Sequence, residues 1–289
     1  MSDCSFSDTI SHMAYISAIL TAGLVLFGVA YTFLGYNVRF LNKVTEMRTA
    51  KKTTENMKDE SQLRGQRFYV HRDRRDVRVN LYRMHEDLPL MFFAHGGHFI
   101  DEDADLYDDL CAEMAEELHC AVVSINYSKI GAHASTYPQQ EIRDVILYFC
   151  THEKEFGIRA QHPVMAGMEA GAYLILQAGI HAVQSGIIAS GYILIDPFID
   201  YVCISLAKAR QHPSPSVLLF SGSENQDAKE EYLRALEENG IDTEVLNVIL
   251  HDRILMNTEE NPEVQSVREQ TVEWLKEAAG PLFSAAKIR

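Results

Sequence analysis

Short, continuous apolar runs alternate with amphipathic helical segments along most of this chain. The runs are Leu88–Ala94, Ala121–Asn126, Pro163–Ala166, Tyr192–Ile195, Val217–Phe220 and Thr243–Ile249. The predicted helices lie at about 103–118, 138–156, 170–184, 227–239 and 262–278. Strands that are apolar on both faces and separated by helices predict a parallel sheet that helices cover on each side.

Two alternating segments precede the first of these runs. Phe68–Val70 and Val77–Met84 alternate apolar and polar side chains, and the charged residues 72–76 lie between them. This alternation predicts an antiparallel hairpin. We therefore predict an α/β fold in which a mostly parallel, doubly wound sheet begins with an antiparallel hairpin.

The N-terminal part contains one long uncharged segment. No side chain between Met13 and Asn37 is charged, and the apolar residues 14–34 suffice to cross a bilayer core of about 30 Å as a helix. The flank before this segment is acidic (Asp3, Asp8), which favours an uncleaved anchor over a removed secretory signal. We predict a tail at 1–13, a transmembrane helix at 14–36, a polar helical stalk at 37–65 and the α/β domain at 66–289.

Basic residues follow the predicted transmembrane helix. They are Arg39, Lys43, Arg48, Lys51 and Lys52, against the single acid Glu46. Because basic flanks stay on the cytoplasmic side, we predict a single-pass protein whose C-terminal domain faces the cytoplasm or the mitochondrial matrix.

The same helix carries Ala14, Ala18 and Ala22 one turn apart. Such small residues let a second membrane helix approach closely, so another membrane-protein subunit is a candidate partner. An alanine-rich span also produces this spacing by chance, and that alternative stays open.

Charge and cysteine content limit the other partners. The 41 acidic residues exceed the 26 basic ones, which argues against nucleic acid because phosphate binding needs a basic surface. The 5 cysteines lack C-x-x-C spacing, so reduced thiols fit better than a disulfide framework. The acids Asp101–Asp105 near His95 and His98 match no metal-binding spacing, and they are interpreted as a loop followed by an acidic helix start. We expect neither a metal nor a cofactor.

Glycine-rich motifs follow two of the predicted strands. Leu88–Ala94 leads into His95–Gly97 (His-Gly-Gly), where glycines let backbone N–H groups point at a developing oxyanion. Pro163–Ala166 leads into Gly167–Gly171 (Gly-Met-Glu-Ala-Gly) and then directly into an apolar helix. This strand–turn–helix context is that of a nucleophile elbow, whose central residue is normally serine and is Glu169 in this chain.

Two further polar residues follow the last predicted strands. Thr243–Ile249 leads to His251, at the place of a general base, and Val217–Phe220 leads to a loop that contains Glu224, at the place of the acid that orients such a base. The order nucleophile, acid, histidine is that of a hydrolytic triad on a doubly wound sheet.

In this order the motifs resemble the hormone-sensitive-lipase and arylacetamide-deacetylase branch of the α/β-hydrolase fold, and kynurenine formamidase is similar in pattern. The resemblance covers residues of about 67–280. It implies hydrolysis of carboxylic esters or amides, with Gly96, Gly97 and Ala170 as the backbone donors of the oxyanion hole. The sequence departs from the branch at Glu169, and at His98, which replaces a third loop glycine.

Glu169 leaves two functions open. A carboxylate needs no deprotonation to act as a nucleophile, but glutamate is one methylene longer than the aspartate that other hydrolases of this fold use, and a misplacement of about 1 Å can cost about 10²-fold in rate. The following helix N-terminus and a protonated His251 would both stabilise the Glu169 anion and give a quiet site. The segment between Asp196 and Val217 is short, which leaves little cap over the site.

We therefore expect a membrane-anchored pseudohydrolase that serves as a binding, scaffold or accessory subunit of a membrane assembly. The alternative is a membrane-tethered carboxylesterase or amidase with altered, glutamate-based or weak activity. A small acyl ligand is compatible with both.

Overall fold

The computed structural model places an eight-stranded sheet between two layers of helices in the part of the chain that it describes. The described residues are 57–72, 76–129, 136–208, 216–220, 226–247 and 262–285. Contacts divide the chain into Met1–Arg48 and Thr49–Arg289, and every described residue belongs to the second unit.

The strands alternate with helices as the apolar pattern predicts. The strands are β1 (Gln66–Val70), β2 (Val77–Tyr82), β3 (Leu88–Ala94), β4 (Ala121–Asn126), β5 (Ile158–Met168), β6 (Gly191–Ile195), β7 (Ser216–Phe220) and β8 (Thr243–Asn247). The helices are α1 (Asp108–Glu117), α2 (Tyr137–Thr151), α3 (Ala170–Ala182), α4 (Tyr201–Lys208), α5 (Gln226–Glu238) and α6 (Pro262–Ala285). Short 3₁₀ helices lie at Glu60–Gln62, Ala104–Tyr107 and Val183–Ser185.

The strand order is β1-β2-β4-β3-β5-β6-β7-β8. Strand β2 pairs antiparallel with β1 and β4, and the remaining pairs are parallel. Strand β3 lies near the centre of the sheet, and each of its residues is buried because side chains of both faces pack under helices. This arrangement confirms the predicted mostly parallel sheet with an antiparallel start.

The helices cover both faces of the sheet. Apolar side chains of α1 and α6 pack on one face, and those of α2, α3, α4 and α5 pack on the other. Because β3, β5 and β6 run parallel, their carboxyl ends lie at one common edge of the sheet, where ligands of doubly wound folds bind.

Several element bounds differ from the predictions. Strand β5 is longer than predicted at both ends, and α6 continues through Pro281. Helix α4 was not predicted: it lies in the segment interpreted as a short connection, and it buries Cys203, Ile204 and Ala207 against the core.

The described end of the predicted stalk packs against the domain. The Lys58 backbone N–H donates to Asp105 Oδ2 at 3.0 Å, and Lys58 Nζ lies 3.0 Å from Asp108 Oδ2. The Arg64 N–H donates to the Asp108 carboxylate at 3.2 Å. Residues 58–64 are therefore fixed to the domain by two buried acids.

None of the helices within the described ranges is long and apolar enough to cross a membrane. The predicted transmembrane helix at 14–36 lies outside those ranges, as does most of the predicted stalk.

Candidate active site

Glu169 occupies the turn between β5 and α3 in a strained backbone conformation. Its φ is 48° and its ψ is −117°, and its N–H donates to the Ile195 carbonyl at 2.8 Å. The flanking glycines permit the turn, because a Cβ on Gly171 would lie 2.1 Å from the Ala94 carbonyl oxygen and one on Gly167 would lie 2.7 Å from the Ala172 nitrogen. The backbone therefore forms the elbow that the motif predicts, with a glutamate at its apex.

The glycine loop after β3 contacts the side chain of Glu169. The Gly97 N–H donates to Glu169 Oε2 at 3.0 Å, and His98 Nδ1 lies 3.4 Å from the same oxygen. Gly97 has a φ of +96°, and a Cβ there would lie 2.2 Å from the Asp101 carbonyl oxygen. The Glu169 carboxylate thus occupies the position in which an oxyanion would accept the Gly97 N–H.

The neighbouring Gly96 N–H is also engaged by a side chain. It donates to the Tyr107 hydroxyl at 3.0 Å, and that hydroxyl donates to the Glu102 carboxylate. Burial and the adjacent Glu102 carboxylate raise the pKa of Tyr107, so its hydroxyl keeps its proton. Sequence reasoning missed Tyr107, because nothing in its local pattern connects it with the loop.

Of the three remaining expected site residues, the structure describes Ala170 but not His251 or Glu224. Ala170 follows Glu169 as the first residue of α3, and it is buried. His251 and Glu224 lie outside the described residues, so their expected roles as base and acid stay predictions.

His95 supports the loop as a neutral imidazole. Its ring is buried and stacks on Tyr127 with centroids 4.3 Å apart. Lys129 Nζ lies 2.9 Å from Nε2, and because an ammonium only donates, Nε2 accepts and Nδ1 donates to the Gly96 carbonyl at 2.9 Å. Burial, and then the Lys129 charge, lower the pKa of His95 well below 6.5.

Three aromatic rings lie in segments that contact Glu169. Phe99, Tyr173 and Phe198 have centroids 5.7 to 5.9 Å apart and interplanar angles of 81° to 86°. The Glu169 carbonyl accepts the N–H groups of Tyr173 and Phe198, each at 3.3 Å. The Tyr173 hydroxyl donates to Asp200 Oδ2 at 3.1 Å, which fixes that ring.

The acids after the glycine loop form a buried ion-pair cluster. Asp103 and Asp105 are fully buried, and Arg78 pairs with both. Arg67 Nη2 lies 2.7 Å from Asp105 Oδ2, and the Asn80 amide donates to Asp105 Oδ1 at 2.8 Å. Asp103 also caps the following 3₁₀ helix by accepting the Asp105 N–H, as an acidic helix start should. Among the side chains that the structure describes, no three His, Cys, Asp or Glu groups converge to hold a metal ion.

Solved esterase structures share this fold. The esterase LipW of Mycobacterium marinum superposes with a TM-score of 0.66 at 16% identity, over 85% of this chain and 90% of that one. A structure from a study of two fungal esterases of Rhizomucor miehei gives 0.65 at 16% identity, over 84% and 92%. At such identities the likeness concerns the fold.

Acetyl esterases are similar in sequence over a shorter stretch. The acetyl esterase of Salmonella schwarzengrund (strain CVM19633) is 31% identical over 108 residues, and that of Salmonella typhi is 32% identical over 92 residues. These matches cover 36% and 31% of this chain, and only 33% and 28% of the two esterases.

The sequence pattern of the α/β hydrolase fold family matches residues 91–258, which is more than half of the chain and includes the glycine loop and the elbow. The chain therefore belongs to the α/β hydrolase fold family.

Proposed function

We propose that this chain is a carboxylic-ester hydrolase of the hormone-sensitive-lipase and arylacetamide-deacetylase branch, with weak activity based on Glu169. The observation that carries the proposal is the contact of 3.0 Å between the elbow side chain and the Gly97 N–H, because an elbow and a donor loop at hydrogen-bond distance are the two parts that acyl transfer needs. The sequence likeness to acetyl esterases supports the ester class.

The proposed reaction has two steps. A Glu169 carboxylate oxygen attacks the acyl carbon, the alkoxide leaves with a proton from water, and a mixed anhydride forms on the glutamate. Water then cleaves the anhydride, which releases the carboxylic acid, and the hydroxide left by the first step takes the proton from the glutamic acid, so that the Glu169 carboxylate is restored.

The same contact accounts for weak activity. A substrate carbonyl oxygen can use the Gly97 N–H only after it displaces the Glu169 carboxylate from it. A hydrogen bond to a charged group contributes about 1.5–3 kcal/mol, which corresponds to a rate loss of roughly 10- to 150-fold.

Short p-nitrophenyl esters test the proposal. We expect the wild-type chain to hydrolyse the acetate above the rate in buffer, and the isosteric variant Glu169→Gln to lose this activity. Intact-mass analysis of quenched reactions should find an acyl adduct on the wild type alone. Equal rates for the two proteins would exclude Glu169 as the nucleophile.

A second candidate function is a binding or accessory role without turnover. It is favoured by the engagement of both loop donors inside the chain, Gly97 by Glu169 and Gly96 by Tyr107. In this case the wild-type chain should be inactive, whereas Glu169→Ser removes the carboxylate from Gly97 and supplies a hydroxyl at the elbow. Esterase activity gained by that variant alone would support the second candidate.

We further propose that residues 14–36 anchor the chain in a membrane and that the domain faces the cytoplasm or the mitochondrial matrix. The uncharged segment and the basic residues after it support this location. Another membrane-protein subunit is the proposed partner of that helix.

A further inference from the structure

The aromatic rings beside Glu169 belong to three separate segments that each touch this residue. Phe99 follows His98, whose ring lies 3.4 Å from Glu169 Oε2. Tyr173 lies one helical turn after Glu169 on α3, and Phe198 lies in the loop after β6; the N–H groups of both donate to the Glu169 carbonyl. The segments that carry the three rings therefore meet at Glu169, two through its backbone carbonyl and one through its carboxylate.

The rings of Phe99, Tyr173 and Phe198 are nearly perpendicular to one another, and we call this arrangement the aromatic corner. Their planes meet at 85°, 86° and 81°, and their centroids are separated by nearly equal distances of 5.7, 5.7 and 5.9 Å. Phe198 is 54% exposed, whereas Phe99 and Tyr173 are partly buried, so a ligand would reach the three rings from the side of Phe198. A cation within about 6 Å of ring centroids is attracted by the negative faces of the rings.

The charge around this corner is predominantly negative. Glu169 is partly exposed, with a side-chain exposure of 20%, and Asp200 lies behind the Tyr173 hydroxyl at 3.1 Å. Asp196, which follows β6, lies two residues before Phe198. His98 is the basic side chain at the corner, and the chain as a whole carries a net charge of −15, which attracts cations.

We propose that Phe99, Tyr173, Phe198 and Glu169 form a binding site for an alkylated ammonium group. A neutral apolar group gains only the contact with the rings, whereas an ammonium group gains in addition the attraction of the ring faces and of the carboxylate. This inference goes beyond the proposed hydrolase function, because binding of the ammonium group requires no bond cleavage.

Choline and its neutral isostere 3,3-dimethylbutan-1-ol test the proposal by calorimetric titration of the full-length chain at low salt. The two probes have the same shape and differ in the charge of the nitrogen position, and neither contains an ester bond. We expect choline to bind about ten-fold more tightly than the isostere, since cation–π attraction and a carboxylate together exceed about 1.4 kcal/mol.

Two variants locate the site. Phe198→Leu keeps an apolar side chain without a ring, and Glu169→Gln keeps the shape without the charge. Each should weaken choline binding about three-fold and leave binding of the isostere unchanged. Tyr69→Leu, at an aromatic side chain on β1 that is 50% exposed, is the matched control and should bind choline like the wild type.

Equal affinity for the two probes would mean an apolar surface without cation selectivity, and it would overturn the proposal. Absence of choline binding, or unchanged binding in Glu169→Gln, would overturn it as well. Because choline is not hydrolysed, these outcomes are independent of whether the chain cleaves esters.

Discussion

Residues other than glycine with a positive φ gather around Glu169. They are His98 (50°), Phe99 (67°), Glu102 (65°), Glu169 itself (48°) and Asp196 (44°). Each such residue costs about 1–3 kcal/mol and persists only where its surroundings fix it. Strain of this kind concentrates at functional sites, which agrees with the placement of the candidate active site at this edge of the sheet.

Because His95 is buried as a neutral imidazole, we expect the stability of the protein to depend on pH. The folded state lowers the pKa of this imidazole below its usual value of 6.5, so the unfolded chain binds the proton more readily. Stability should therefore fall as the pH decreases below about 6.5, by up to about 1.4 kcal/mol per pH unit. Urea unfolding at pH 7.5 and 5.5 measures this loss.

His95→Gln separates this effect from other titrating groups. The glutamine cannot be protonated, so the variant should lose less stability between the two pH values than the wild type does. Equal losses in both proteins would show that His95 does not cause the dependence. Arg78 also lowers the pKa of His95, and the hydrogen bond to Gly96 opposes the shift without reversing it.

The close packing around Gly171 leaves no space for a side chain at this position of the elbow. A Cβ there would lie 2.1 Å from the Ala94 carbonyl oxygen, and backbone cannot move aside as a flexible side chain does. Gly171→Ala should lower the free energy of unfolding by about 3 kcal/mol or more. Gly280→Ala is the control, since its Cβ meets nothing within 4 Å, and its stability should not decrease. A Gly171→Ala protein as stable as the wild type would contradict the close approach.

The sequence predicts those parts of the candidate site that depend on glycine turns in the backbone. Glycines at 97, 167 and 171 predict tight turns, and the structure has Gly97 and Glu169 at hydrogen-bond distance. The contact of Tyr107 with Gly96 was not predictable, because it depends on how the loop and the helix after it pack. A single sequence records no such contact between a buried hydroxyl and a backbone N–H.

Elements were predicted best where their burial is complete. Strands β3 and β4 have their predicted bounds because every residue, except the partly buried Asn126, is buried and polar residues follow at the end. Helix α4 was missed because its eight residues resemble a connection and bury only a few side chains. The acids after the glycine loop were predicted at a helix start, and their burial was missed because Arg67 and Arg78 are far away in the sequence.

The buried ion-pair cluster joins β1, β2 and the 3₁₀ helix Ala104–Tyr107, and we expect one substitution in it to have a large effect on stability. Asp105→Asn removes the charge that Arg67 and Arg78 share in the interior, and it should lower the free energy of unfolding by about 3 kcal/mol. Asp109→Asn is the matched control on α1, because that side chain is 56% exposed, and it should change stability by less than about 0.5 kcal/mol. Denaturant titration of both variants measures the difference. Similar small effects would mean that the buried charges contribute no net stability.

At the scale of the whole molecule, the proposed membrane helix predicts where the chain fractionates. The full-length chain should stay with the membrane pellet after an alkaline wash. A chain that begins at Met57 should remain in the supernatant and unfold at the same temperature, because it keeps the contacts of Lys58 and Arg64 with Asp108. Full-length protein in the supernatant would exclude the anchor.

The central position of β3 determines when this chain can fold during its synthesis. Both neighbours of β3, the strands β4 and β5, follow it in the sequence, and β5 ends only at Met168. At about 5–20 residues per second, the ribosome needs roughly 4–15 s to make the stretch between the ends of β3 and β5. Throughout that time the fully apolar Leu88–Ala94 lacks its second partner strand, and an unpaired apolar strand edge is prone to aggregation until the pairing is complete.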